Sequence, residues 1–479
     1  MTTFSEVAEV AVEPSAARVF EHGWQSWSPT TTYRLSDRPF RATSPNWFAV
    51  NYQGPDATPP EGFQGEGLLA VDPGDDGPIR IWAATDPALQ VPSIRVERVG
   101  HRLVILANGP VDDITDEIAG PGSGGASGAA PGGTPAPGGM PAPGGMRAAL
   151  GRWAGAYAEA LGVGPLRPAP TIWCSWYHYF TSVAEADIVE NLDAIDRFEL
   201  PVDVVQLDDG YQSELGDWLT PSTRFASLPG IVGRIRDRGR RAGIWVAPFL
   251  LGAKSETARA HPDWLVGDPA AADPATPLRA LHHWDQDLYV PDITNPDAAE
   301  WLGGVFGALA AMGIDFFKID FTYAGALAGR RRVNLPAPAA YRRGLQIIRE
   351  AIGPDAYLLG CGAPLLPSIG LVDAMRVSPD IAVNYEPPDG DLSAPAQRSA
   401  EMNGAARAFQ HGRWWVNDPD CLIARPEVER REEWAAHVLR YGGLRGSSDR
   451  LSELDGWGLD ITREALSSVP GPVPFDLAE

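Results

Sequence analysis

Cysteine is rare in this sequence, and its first residues lack the features of a secretory leader. The three cysteines, Cys174, Cys361 and Cys421, lie far apart in the chain. An odd number without close spacing fits neither a disulfide framework nor a zinc site. The N-terminal residues contain no basic region followed by an apolar one, so we expect no signal peptide. Together these absences predict a reducing compartment and a cytoplasmic location.

Long apolar runs and an excess of basic charge are missing as well. No run is long enough to span a bilayer, so we expect no membrane partner. Acidic residues number 62 against 39 basic ones, which gives a formal net charge of -23. Such a charge disfavours nucleic acid and anionic membranes as partners. The balance fits a soluble enzyme that acts on a neutral small molecule, and a homo-oligomer stays open.

The length of 479 residues suits a large barrel with one companion domain. Near the N-terminus, short alternating runs such as Ile79–Trp82 and Ile94–Val99 are separated by Gly, Pro and Asp. This pattern predicts an N-terminal β-sandwich domain over residues 1–119. The segment His22–Ser28 holds two tryptophans among polar groups. It is either sandwich core or a loop that leans over the active site of the next domain.

Residues 120–147 are rich in Gly, Pro, Ala and Ser, and the unit Ala-Pro-Gly-Gly-Met occurs twice in them. No core can form from this composition, so we predict a flexible linker. The catalytic domain then takes residues 148–479. It begins with a predicted helix over Ala148–Leu161, in which apolar residues recur at helical spacing.

From Thr171 onward, short apolar strands alternate with helical patterns. The predicted strands are Ile172–Tyr177, Val202–Leu207, Gly243–Phe249, Ile314–Asp320, Ala356–Cys361, Ala374–Ser378, Trp414–Asp418 and Gly443–Ser448. The predicted helices are Glu185–Phe198, Gly230–Ala242, Pro296–Met312, Ala394–His411, Glu427–Tyr441 and Leu451–Leu466. Eight such strands over roughly 300 residues predict an α/β fold of the (β/α)8 TIM barrel type. The alternative is a doubly wound open sheet, but no Gly-x-Gly-x-x-Gly loop follows the first strand.

Carboxylates dominate the predicted strand ends, where barrel enzymes keep their active sites. Asp320 ends one strand, and Lys318 points to the same side and favours its charged form. Glycoside hydrolysis needs one carboxylate at the anomeric carbon and another that protonates the leaving oxygen. Asp320 suits the first role, and Asp380 suits the second if its surroundings raise its pKa. Other notable side chains at predicted strand ends are Trp245, Cys361, Asn417, Asp418 and Asp420.

Asp208 and Asp209 end another predicted strand, and their carboxylates can accept hydrogen bonds from sugar hydroxyls. Each motif also has a purely structural alternative. The two aspartates and Gly210 can form an ordinary turn, Asp380 can cap a helix, and Cys361 can be a small buried apolar residue. The common placement at strand ends favours a site.

Five motifs carry a resemblance to a known family. They are Trp173–Tyr177, Leu207–Tyr211, Gly243–Phe249, Phe317–Phe321 and Trp415–Asp420. In sequence and in order they resemble the motifs of glycoside hydrolase family 36, the α-galactosidase or melibiase family. Trp24–Ser28 is similar to a motif of that family's N-terminal β-sandwich domain, so the resemblance covers most of the chain.

The resemblance implies a retaining hydrolase of terminal α-galactosides that needs no cofactor and whose partner is a small oligosaccharide substrate. It implies Asp320 as the nucleophile and Asp380 as the general acid/base. The substrate-binding residues that it implies are Asp208, Asp209, Trp176, Trp245, Lys318, Cys361 and Arg376.

The sugar itself stays open, because the loop after Cys361 departs from the Ser-Gly-Gly-rich sequence of that family. A raffinose-synthase-type transferase would use the same barrel, as would an α-N-acetylgalactosaminidase or an α-glucosidase. A catalytically decayed sugar-binding protein is the alternative of another class.

Overall fold

The computed structural model describes residues 3–42, 50–51, 61–75, 77–116 and 145–475. The predicted linker over residues 120–147 lies outside these ranges up to residue 144. In the described ranges, no helix is both long enough and apolar enough to cross a membrane.

Among the described residues up to Asp116, nine strands form two antiparallel sheets. The strands are β1 Ser5–Ala11, β2 Arg18–Glu21, β3 Thr31–Arg34, β4 Phe63–Glu66, β5 Leu68–Asp72, β6 Ile79–Ala84, β7 Ser93–Val99, β8 Arg102–Ala107 and β9 Val111–Asp116. One sheet has the order β1-β8-β7-β4 and the other β3-β2-β5-β6-β9. The two sheets are consistent with the predicted β-sandwich.

Strand β5 is buried on both faces, which explains its continuous apolar sequence. Leu69 packs in one apolar cluster with Ile94 and Ile105 of the facing sheet. Its neighbour Leu68 points to the opposite face, because successive side chains alternate along a strand. There it belongs to the large core cluster that includes Leu150. The larger sheet is thus packed between the smaller sheet and the second half of the chain.

The second half contains a curled sheet of eight parallel strands that resembles a TIM barrel. These strands are β10 Ile172–Cys174, β11 Val204–Leu207, β12 Arg241–Val246, β16 Ile314–Ile319, β17 Tyr357–Gly360, β18 Ala374–Arg376, β19 Val416–Asp418 and β20 Gly446–Ser447. Their order in the sheet is β19-β18-β17-β16-β12-β11-β10-β20. A further parallel bridge joins Leu422, after β19, to Ser447 of β20. The strand order follows the chain without the reversal of a doubly wound sheet.

A small antiparallel sheet interrupts the alternation between β12 and β16. It consists of β13 Leu251–Gly252, β14 Arg279–His283 and β15 Gln286–Tyr289, in the order β13-β15-β14. We call this insertion the hairpin excursion.

The helices follow from apolar spacing and from capping residues. They are Met146–Ala160, Trp176–Tyr179, Glu185–Arg197, Leu228–Asp237, Glu256–Ala260, Pro296–Ala311, Ala337–Ile352, Leu365–Ser368, Gln397–Ala406, Arg431–Tyr441 and Gly456–Ser467. The side chains of Ser227, Asn295 and Asp455 accept hydrogen bonds from backbone N–H groups in the first turns of their helices. The sequence pattern located the helices that begin at Met146, Glu185 and Pro296 to within two residues.

Two predicted elements need correction, and one long helix was not predicted. The first barrel strand ends at Cys174, and Trp176–Tyr179 is helical. The helix predicted to reach Ala242 ends at Asp237, because the backbone of Gly239 adopts a positive φ of 73° and the next strand already begins at Arg241. The helix Ala337–Ile352 was not predicted, although its buried residues recur at helical spacing.

One buried arginine joins the N-terminal sheets to the barrel. Arg407 is fully buried, and its guanidinium donates hydrogen bonds to the backbone carbonyls of Gln25 (3.1 Å), Ser28 (2.6 Å) and Val377 (2.8 Å). Burial lowers its pKa to about 9. The same loop is tied by the N–H of Ser26, which donates to the carbonyl of the barrel residue Ala363 at 2.9 Å. Arg407 thus fixes the two-tryptophan loop on the barrel.

We expect Arg407→Met to lower the free energy of unfolding by about 3–5 kcal/mol, because several buried carbonyls lose their donor. Arg398→Met is the matched control, since Arg398 lies on the helix that Arg407 directly follows but forms an exposed ion pair with Glu386. This substitution should cost less than about 1 kcal/mol. Thermal and denaturant unfolding measure both variants. Equal losses in the two variants would contradict a clamping role.

Candidate functional site

A cavity of about 610 Å³ lies where the carboxyl ends of the parallel strands converge. Five of its charged side chains come from three different strands or the residues that follow them. These side chains are Asp208, Asp209, Lys318, Asp320 and Asp380. The convergence follows from parallel strand topology, which brings the ends of distant segments to one face of the sheet.

Lys318 lies between two carboxylates at the base of this cavity. Its Nζ atom is 2.9 Å from Oδ2 of Asp208 and 3.8 Å from Oδ2 of Asp320. All three side chains are buried. Burial by itself lowers the pKa of Lys318, but the charges of Asp208 and Asp320 outweigh burial and raise the pKa well above its usual value. The lysine therefore stays charged.

Asp320 is held by two further donors. The indole Nε1 of Trp245 donates to its Oδ2 at 2.9 Å, and the backbone N–H of Phe321 donates to its Oδ1 at 2.8 Å. Trp245 and Lys318 are paired in the register of β12 and β16, so both reach Asp320 from one level of the sheet. This fixes the carboxylate in one orientation toward the cavity.

Asp208 and Asp209 have different surroundings. Oδ2 of Asp208 accepts from Nε2 of Gln206 at 2.7 Å as well as from Lys318. Oδ1 of Asp209 accepts from Nε2 of Gln212 at 2.6 Å, while its buried Oδ2 has no hydrogen-bond partner among the described residues. Burial raises the pKa of Asp209 to about 7, and Gln212 only partly opposes the rise. Asp209 can therefore accept a hydrogen bond from a ligand hydroxyl.

Asp380 is paired with Arg376, four residues earlier. The Trp176 side chain also donates to its carboxylate. Burial would raise the pKa of Asp380, but the charges of Arg376 and Lys318 outweigh burial and lower it. The condition named for the acid role, a pKa of Asp380 raised by its surroundings, is therefore not met, because the neighbouring cation lowers this pKa.

Arg376 also bonds a second carboxylate behind the cavity. Its guanidinium donates to Oδ2 of Asp420 at 2.8 Å and to the hydroxyl of Tyr177 at 3.1 Å. Tyr177 donates to the same carboxylate oxygen, and the backbone N–H of Ile381 donates to it at 3.0 Å. We call Arg376, Asp420 and Tyr177 the arginine triad. Sequence reasoning placed Asp420 at a strand end but missed the triad.

The remaining predicted residues divide between the cavity wall and the layer behind it. Trp176 and Trp245 line the cavity. Arg376 and Cys361 are buried and lie outside its lining. Cys361 packs in a cluster with Trp24, which supports the structural alternative for that residue. Among the described residues, no group of three or more His, Cys, Asp or Glu side chains is arranged to hold a metal ion.

Aromatic side chains that sequence reasoning did not assign form much of the remaining wall. Trp27 of the N-terminal loop packs edge to face against Phe321, with ring centroids 4.9 Å apart. Trp284 of the hairpin excursion packs against the same phenylalanine, with ring centroids 5.3 Å apart. Phe180, Trp284 and Phe321 all have positive φ values, of 47°, 49° and 51°. Such backbone strain in large residues is typical of functional sites. The Trp27 contact favours the reading of its loop as one that leans over the site.

Comparison with known proteins relates the barrel to glycoside hydrolases. Residues 162–338 match the family model described as the glycosyl hydrolases family 31 TIM-barrel domain. The bifunctional α-galactosidase/sucrose kinase AgaSK of Mediterraneibacter gnavus is 31% identical over 102 residues, which are 20% of this chain and 10% of that protein. The α-xylosidase XylQ of Lactiplantibacillus pentosus is 26% identical over 177 residues, which are 34% of this chain and 22% of that protein.

The solved α-galactosidase TtGalA of Thermus thermophilus is similar over nearly the whole chain. In its complex with p-nitrophenyl α-D-galactopyranoside, it matches with a TM-score of 0.75 and 28% identity over 97% of this chain and 89% of that chain. The same enzyme has been solved with stachyose. This chain spans less than a quarter of the length of the curated relatives it matches. The similarities support a glycoside hydrolase, while the choice of family 36 over family 31 stays a prediction.

The raised pKa of Asp209 makes stability depend on pH. A carboxyl whose pKa is raised by folding contributes stability at low pH, and the contribution is lost as the pH rises from about 4, the unfolded value, to about 7. As the pH rises from 5 to 7.5, the ionisation of Asp209 lowers the free energy of unfolding. We expect this decrease to be smaller in Asp209→Asn by on the order of 2–3 kcal/mol. Denaturant unfolding at both pH values measures it. Asp285→Asn is the control, since that side chain is 98% exposed, and equal pH slopes in both variants would contradict the assignment.

Proposed function

We propose that this protein is a retaining α-glycosidase that hydrolyses terminal α-galactosides. The observation that carries the proposal is the placement of Lys318 between Asp208 and Asp320 in a cavity that also receives Asp380. This arrangement supplies a carboxyl group held in place, a second carboxyl group from another strand and buried acceptors for sugar hydroxyls. Similarity to α-galactosidases over most of the chain supports the choice of sugar.

The proposed domain organisation supports this activity. We propose a β-sandwich domain over residues 1–119, a linker over residues 120–147 and a complete (β/α)8 barrel over residues 148–479. The hydrogen bond from the N–H of Leu422 to the carbonyl of Gly446, at 2.7 Å, supports closure of the barrel. The three cysteines are buried and unpaired, in keeping with the proposed cytoplasmic location.

In the first step, Asp320 attacks the anomeric carbon and forms a covalent glycosyl-enzyme ester. The bond to the leaving oxygen breaks, and Asp380 gives its proton to that oxygen. In the second step, Asp380 takes a proton from water, which attacks the anomeric carbon and releases Asp320 as a carboxylate. Two inversions at one carbon return the α-anomer of the sugar.

The residues around Asp320 favour its role as the nucleophile. Lys318 places a positive charge 3.8 Å from the attacking carboxyl group, and Trp245 fixes the orientation of that group. The unpartnered Oδ2 of Asp209 and the carboxylate of Asp208 are placed to accept hydrogen bonds from sugar hydroxyls. Arg376 pairs with the carboxyl group of Asp380. The other two members of the arginine triad, Asp420 and Tyr177, hold Arg376 in place.

We expect Asp320→Ala to lower kcat for methyl α-galactoside by at least about 10³-fold, because the covalent step is lost. Asp315→Asn is the matched control: Asp315 lies on the strand that Asp320 directly follows but pairs with Arg241 outside the cavity, so its variant should keep near-normal activity. A proton NMR time course of product release measures both variants and the anomer released first.

The first anomer and the acceptor dependence decide between the alternatives. The α-anomer first, lost in Asp320→Ala, supports the retaining mechanism, and the β-anomer first would contradict it. Transfer to an added sugar acceptor in preference to water would indicate a raffinose-synthase-type transferase. Turnover of only α-N-acetylgalactosaminides or α-glucosides would change the sugar and keep the mechanism. Galactose binding by calorimetry without turnover would indicate a decayed site.

The charge of Arg376 predicts a specific pH effect. The first step needs protonated Asp380, and Arg376 lowers its pKa, so kcat/KM falls as the pH rises through that value. We expect Arg376→Gln to move the alkaline limb for methyl α-galactoside upward by about one pH unit or more, because burial then dominates. Arg425→Gln is the control, since Arg425 lines the cavity but pairs with Asp449. An unchanged limb in Arg376→Gln would contradict the pairing as the cause.

A further inference from the structure

The segment that follows Asp380 forms an apolar wall of the cavity. Ile381, Ala382 and Val383 all line it, directly after the carboxylate. This inference rests on the proposed function, in which Asp380 protonates the leaving oxygen. The residues adjacent to the acid then surround the group attached to that oxygen.

The backbone of this segment is already engaged in hydrogen bonds away from any ligand. Nε2 of Gln397 donates to the carbonyls of Ala382 and Val383, at 3.3 and 3.1 Å. The N–H of Glu429 also donates to the carbonyl of Val383, at 2.8 Å, and the N–H of Ile381 donates to Asp420. These groups are therefore occupied, and the wall presents mainly hydrocarbon to a leaving group.

Aromatic rings also lie next to Asp380. Trp176 donates a hydrogen bond to its carboxylate, and the ring of Phe180 contacts that of Trp176 edge to face at 5.2 Å. Phe180 lines the cavity and is nevertheless 50% exposed. Phe180 therefore has a strained backbone and a half-exposed ring at the cavity edge. Among the described residues, nothing covers the exposed apolar surface of this ring.

We propose that the leaving-group side of the site takes an apolar alcohol, alkyl or aryl, in preference to a second sugar. Aromatic rings by themselves could pack against the face of a sugar ring. The aliphatic wall of Ile381, Ala382 and Val383 offers no partners for sugar hydroxyls. Sugar hydroxyls buried against it would lose water without gaining partners. A cavity of about 610 Å³ is within the range of sites that enclose ligands larger than one monosaccharide.

The test compares kcat/KM of the full chain for methyl α-galactoside, hexyl α-galactoside and melibiose. All three leaving groups are unactivated alcohols. Differences in kcat/KM therefore reflect contacts between the leaving group and the protein, and not the intrinsic reactivity of the leaving group. Burial of each methylene contributes roughly fourfold, so we expect hexyl α-galactoside to exceed both of the others by at least about tenfold. Equal values for the hexyl and methyl glycosides, or a faster melibiose reaction, would overturn the proposal.

Variants locate the effect at the proposed wall. Val383→Thr adds a hydroxyl at nearly constant volume, and Phe180→Ala removes the exposed ring; each should lower the hexyl to methyl ratio about threefold or more. Val333→Thr is the matched control, because Val333 is an exposed valine outside the cavity lining. A ratio unchanged in both wall variants would overturn the assignment of the wall.

Failure of the proposed sugar is distinguishable from failure of this inference. If only another α-glycoside is cleaved, the methyl to hexyl comparison is made on that sugar and decides the inference there. Calorimetric binding of the methyl and hexyl galactosides to Asp320→Ala gives the same comparison without turnover. Tighter binding of the hexyl glycoside by about tenfold supports the proposal, and equal binding overturns it.

Discussion

The arrangement of the site depends on one buried cation, Lys318. Asp208 and Asp320 come from different strands, and the Nζ atom of Lys318 contacts both carboxyl groups. All three side chains are buried, and the low dielectric strengthens the attraction between the lysine and its partners. Trp245 and the hydrogen bonds to Asp208 then define orientation within a charge pattern that Lys318 has set.

Two buried arginines extend this organisation outward. Arg376 connects the carboxylate of Asp380 to Asp420 and Tyr177 behind the cavity. Arg407 binds backbone carbonyls of the N-terminal loop and so places Trp27 against Phe321 at the cavity wall. In both cases the planar guanidinium with several donors satisfies groups from separate segments, which an ammonium could not do in the same geometry.

Much of the barrel was predictable because its strands are continuously apolar and its helices repeat every three to four residues. The strands that contain Ile244 and Phe316 were located to within a few residues. Errors came where local signals compete: Trp176–Tyr179 carries aromatic residues typical of strands, yet it turns into a helix beneath the cavity. The helix Ala337–Ile352 was missed although Leu345 and Ile348 follow its apolar face.

The sequence by itself determined which segments of the second half would be parallel strands and that Lys318, Asp320 and Asp380 would meet at one end of their sheet, because parallel topology brings strand ends together. Only the tertiary structure decided the charge environment of each carboxylate. Arg376 lies 199 residues from Tyr177 and 44 from Asp420, and no local pattern encodes such a contact. The lowered pKa of Asp380 and the apolar wall beside it are therefore determined by the tertiary structure. Both arise from side chains that meet only when the chain has folded around the cavity.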